Sequence, residues 1–102
     1  MIDPLARAAG AEAMSRLDKL LETRPHETHE EVTQAVRGIV RIRDALIELR
    51  RAGADTPGLQ DTLAQANRLV STAIGAQFPI TGMHWERVEK TRDGLRALLG
   101  AL

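Results

Sequence analysis

The 102-residue chain has no cysteine. That absence removes disulfides, thiolate metal ligands and cysteine nucleophiles together. Aromatic side chains are almost missing as well, since Phe78 and Trp85 are the only ones. A core must then be assembled from Leu, Ile, Val and many Ala, a composition that favours helices packed at short distance. No apolar run reaches the roughly 18 to 20 residues that span a bilayer, so no membrane partner is expected. The opening MIDPLARAAG puts Asp3 and Pro4 where a secretory signal needs a positive region followed by an apolar run. The expectation is a cytoplasmic protein.

Net charge is missing too. Fourteen basic and fourteen acidic side chains cancel, which argues against a nucleic-acid binder, whose affinity comes largely from neutralising phosphates. The charge is nonetheless unevenly placed. Residues 1 to 31 hold seven acids and four bases, whereas 32 to 54 hold five arginines, Arg37, Arg41, Arg43, Arg50 and Arg51, against Asp44 and Glu48. Guanidinium groups suit bidentate pairing to carboxylates.

Catalytic patterns are sparse. Ser15 and Ser71 are the only serines, both in helical stretches, and neither lies in a nucleophile-elbow turn. Ser71 paired with His84 would lack a nearby acid and an oxyanion hole. GMHWERVEKTRDG has neither the glycine spacing nor the Lys-Ser/Thr ending of a phosphate loop. No enzyme is expected.

What the chain does contain is helical periodicity. One domain spans 1–102, because a chain of this length supports a single core. Asp3 before Pro4 is a helix start, and that helix runs to about Thr23, ending near Arg24 ahead of Pro25. Met14, Leu17, Leu20 and Leu21 form its apolar stripe, while the earlier half is Ala-rich and contains Gly10. A second helix spans 28 to 51, where Val32, Ala35, Ile39, Ile42, Leu46 and Leu49 keep an unbroken three-four spacing. Arg50 and Arg51 suit the negative end of its dipole, and Gly53 ends it.

Thr56 caps a third helix with Pro57 at its first position, ending near Gly75 or Ala76. The last helix follows Thr81 as cap, with Ile80 and Trp85 spaced as a hydrophobic staple. Val88, Leu95 and Leu102 keep its heptad phase across Gly94. Short links then make an all-α, antiparallel up-down four-helix bundle, with a three-helix core and a mobile first helix as the second arrangement. The small residues Ala9, Gly10, Ala13, Ala35, Ala73 and Gly75 would allow close backbone approach.

PHETHEE, residues 25 to 31, holds two of the three histidines. His26, His29 and Glu30 share a helical face, and the topology brings His84 to the same pole, so a zinc or non-haem iron site is one reading. A di-iron carboxylate centre is excluded, because no Glu stands three residues before any histidine. Helix-start chemistry explains the same letters more simply. Thr28 and Glu31 fit a capping box ahead of Val32, and acids suit a helix amino terminus. His84 fits a packed position near Trp85.

Helix-turn-helix DNA binding fails on charge, since GLQDTLAQANRLVSTAIG carries one Arg and one Asp. The functional expectation is therefore a non-enzymatic interaction or adaptor module that self-associates as a homodimer, without a cofactor, and whose arginines 37, 41, 43, 50 and 51 meet a protein partner. The second reading is the metal-binding bundle.

Overall fold

Four helices make up most of the computed structural model, which describes residues 2–54, 56–78 and 85–102. They are α1 (Pro4–Thr23), α2 (His29–Arg51), α3 (Pro57–Gln77) and α4 (Trp85–Ala101). Each packs on its neighbour in sequence, and α4 closes the ring against α1. The result is the antiparallel four-helix bundle, a rod of 44 × 23 × 18 Å.

The ends explain the boundaries. Asp3 accepts the Leu5 amide at 2.9 Å through Oδ1, and Pro4 sits at the first position without losing a hydrogen bond. Thr56 does the same for α3, with its hydroxyl accepting from Leu59 at 3.2 Å. At the end of α2, Gly53 has φ 99°. Its amide donates to the Arg50 carbonyl and the Ala54 amide to Leu49, both at 3.1 Å, completing a Schellman turn.

Helix α3 runs past Gly75 and Ala76 to Gln77. The extra turn is held by the Phe78 backbone amide on the Ile74 carbonyl at 3.0 Å, and by the Gln77 side-chain Nε2 donating to the Thr33 hydroxyl of α2 at 3.1 Å. Gly94 does not interrupt α4. A Cβ at that position would lie 2.7 Å from Leu69 Cδ1, so the glycine is where α3 reaches α4.

Helix α1 belongs to the core. It buries Ala6, Gly10, Ala13, Leu17 and Leu20, which excludes the three-helix arrangement with a mobile first helix. Its Ala-rich half carries little hydrophobic signal because it makes contact through backbone. A Cβ on Gly38 would meet the Ala9 carbonyl oxygen at 2.7 Å and Ala13 Cβ at 2.9 Å. Small residues on both sides let α1 and α2 approach more closely than aliphatic side chains would allow. Among the small residues singled out in the sequence, Gly10, Ala13, Ala35 and Ala73 are all buried within this one chain.

The remaining core is aliphatic. Leu17, Val32, Ile39, Ile42, Leu46, Val88, Leu95 and Leu98 are fully enclosed. Each side chain of this size contributes about 1.5–3 kcal/mol on burial. Thr91 lies among them with its hydroxyl donating to the Arg87 carbonyl at 2.8 Å, so its polar atom is satisfied.

Candidate interaction surface

The outer face of α2 is as regular as its inner one. Arg37, Arg41, Asp44 and Glu48 are all exposed, and at 100° per residue they fall within a strip of roughly 60° opposite the buried seam. This strip forms one wall of a trough between α1 and α2. One section, about 620 Å³, is lined by Asp3, Ala6, Arg41, Asp44, Ala45 and Glu48 with Leu49 and Ala52. The next, about 110 Å³, continues past Arg41 along Arg37, Gly38, Ala9 and Ala13. Its floor is the close α1–α2 contact, which is why it is shallow and smooth.

The five α2 arginines do not behave alike. Arg43 pairs with Asp44 at 3.1 Å and Arg51 with Glu48 at 3.1 Å, the latter on exposed side chains. Arg37, Arg41 and Arg50 are exposed and engage no hydrogen-bonding or ionic partner among the described residues. Arginines elsewhere are mostly used inside the chain. Arg92 and Arg96 approach Asp18 of α1 at 3.8 and 3.9 Å, and Arg7 donates to the Leu102 carbonyl at 3.0 Å.

Arg16 is the most committed of them. It donates to Glu31 at 2.7 Å and to Glu12 at 2.9 Å, clamping α1 to the start of α2. The Glu31 hydrogen bond first and the Glu12 bond second push its pKa above the ordinary arginine value. It lies along a cleft of about 420 Å³ with Lys19, Thr23 and Pro25.

That clamp corrects the reading of PHETHEE. Thr28 occupies the N-cap position of α2 but its side chain makes no capping hydrogen bond. The capping box does not form, because Glu31 is drawn to Arg16 and Thr28 is buried against the core. The first turn still carries Glu30 and Glu31, as the dipole favours.

Two ring contacts join the helix ends near PHETHEE. His29 stacks at a tilt on Phe78, with centroids 6.0 Å apart, joining the start of α2 to the end of α3. The Arg24 guanidinium lies 5.6 Å over the Trp85 ring, joining the end of α1 to the start of α4. Arg24 has φ 43°, a left-handed turn at a non-glycine residue, with its amide on the Leu20 carbonyl at 2.8 Å. Among the described residues no group of three or more metal-ligating side chains is placed to hold an ion. His26 is exposed, Glu30 accepts from Gln34 at 2.9 Å, and His84 lies outside the described residues, as does the expected Ile80–Thr81 staple.

Sequence reasoning did not identify the Arg16–Glu31 clamp, the Arg24–Trp85 contact or the His29–Phe78 pair. Only Glu12 and Arg16, four apart on one helix, announced themselves by spacing. The other contacts join residues far apart in the chain, with no local signal.

Among the described residues no helix is long and apolar enough to cross a membrane. No protein-family model matches the chain, and no curated protein or solved structure matches it either.

Proposed function

We propose that this chain is a non-enzymatic interaction module, an adaptor that self-associates as a homodimer and engages a protein partner through the arginine-bearing face of α2. The observation that carries this reading is the pair Arg37 and Arg41, exposed on the wall of a trough and without a partner among the described residues, in a chain whose acids equal its bases. An unpaired guanidinium is a ready bidentate donor for a carboxylate on another molecule. Arg50 is likewise exposed at the end of α2, but about 220° around the helix from Arg37 and so on a different face. A core with few large side chains, in so small a chain, gains from covering more surface with a second copy.

Sedimentation velocity over a concentration series tests the reading, with Arg41→Glu beside the unmodified protein. The unmodified chain is expected to pass from monomer to dimer. The variant should keep the same helicity and associate more weakly. A chain that stays monomeric at every concentration contradicts self-association, and a folded Arg41→Glu variant with undiminished association removes this face from the interface.

A further inference from the structure

After Glu30, which opens the outer strip of α2 and accepts from Gln34, the order of charge is basic, basic, acidic, acidic: Arg37, Arg41, Asp44, Glu48. Within one helix this order is poor. Arg37 and Arg41 are like charges four apart, and so are Asp44 and Glu48, an arrangement that weakens an isolated helix. Nor does the one favourable spacing rescue it, since Asp44 pairs with Arg43 and leaves Arg41 free.

Turned end for end, the same strip is its own complement. The midpoint between Arg41 and Asp44 is also the midpoint between Arg37 and Glu48. We propose, resting on the self-association reading above, that α2 pairs antiparallel with α2 of a second copy across a twofold axis at this midpoint. Arg41 then faces Asp44 of the other chain and Arg37 faces its Glu48, four ion pairs over about 17 Å of helix. A parallel arrangement sets arginine against arginine. Sliding the antiparallel pair by one heptad in one direction opposes Arg37 to Arg41, and in the other direction Asp44 to Glu48. A slide of four residues keeps only two of the four pairs, Arg41 with Glu48 or Arg37 with Asp44, so charge order favours one orientation and this register over its neighbours.

The trough supplies room for the second helix. Small residues, Ala6, Ala9, Ala13, Gly38 and Ala45, line much of it, with Leu49 toward one end and Arg16 toward the other. Asp44 and Glu48 remain accessible for this exchange, with side chains 59% and 70% exposed despite their contacts within the chain.

A partition of the charges tests the pairing. R37E/R41E makes the strip wholly acidic, and D44R/E48R makes it wholly basic, so each variant repels itself while the two attract each other. By sedimentation velocity at low salt, each double variant alone should lose roughly tenfold or more in dimer affinity. An equimolar mixture should recover a one-to-one complex at least as tight as the unmodified dimer, and added salt should weaken it. Undiminished dimers of either variant, or a mixture of two folded variants that stays monomeric, overturns the pairing while leaving self-association through another face. A monomeric unmodified chain overturns both. Should a double variant fail to fold, R41E against R41E/D44R asks the same question, because the second substitution restores attraction in the homodimer and an unrestored dimer contradicts the register.

Discussion

Helix α2 carries two stripes on opposite sides, one aliphatic and one charged. The inner stripe, Val32, Ala35, Ile39, Ile42 and Leu46, is buried against the other helices. The outer stripe, Arg37, Arg41, Asp44 and Glu48, is exposed along the lip of a trough, its two acids paired locally with Arg43 and Arg51. Both keep the same helical period. They differ in where their free energy is realised: the inner stripe stabilises the monomer by leaving water, whereas the outer stripe adds little until a second molecule meets it. Under the proposed pairing, folding and association lie on separate faces of α2, and each can be altered without the other.

The separation is broken most strongly from the inside. Ile39→Asp puts an unpaired carboxylate where the side chain is 0% exposed and should cost more than about 4 kcal/mol, enough to abolish the cooperative thermal transition. Gly38→Leu should be the next largest effect. The Ala9 carbonyl is backbone and cannot swing aside, so α1 and α2 must part at about 1–3 kcal/mol, seen as a lower melting temperature. Gly100→Ala, with nothing within 4 Å of the new methyl, should instead leave stability unchanged or raise it by a few tenths of a kcal/mol.

At the helix ends near PHETHEE the expected effects are smaller. Arg24→Ala keeps the left-handed backbone and loses the stack on Trp85, whereas Arg24→Gly loses the stack but relieves the backbone. The alanine variant should be about 1 kcal/mol less stable than the glycine variant in urea titrations, and equal stabilities would show that φ 43° carries no strain. Arg16→Met removes the clamp on Glu31 and Glu12, partly exposed pairs worth at most about 1 kcal/mol together at low salt and less at high salt. Arg41→Glu should be smallest of all for the fold, changing the melting midpoint negligibly while changing association.

Much of the inner stripe was legible before any coordinates. Ile39, Ile42 and Leu46 announce burial by spacing alone, and Asp3–Pro4, Thr56–Pro57 and Gly53 mark ends because their chemistry is local. Reading failed wherever a distant residue competed with a local one. Thr28 and Glu31 look like a capping box until Arg16, fifteen residues earlier, takes the glutamate. The Ala-rich half of α1 looks weak because its contact is made through backbone, which hydrophobicity does not register. On α2, the sequence offers all five arginines alike as partner-facing. Which of them lacked partners, and that Arg37 and Arg41 share a trough wall with Asp44 and Glu48, required the packing of α1 beside them.

Native mass spectrometry of the protein purified without chelator tests the central claim most directly, because one spectrum counts both copies and bound ions. A concentration-dependent dimer at the summed mass of two chains, with no metal, is the predicted result. A monomer at every concentration, or a stoichiometric zinc or iron mass on each chain, would contradict it and move attention from the arginines of α2 to His26, His29 and His84.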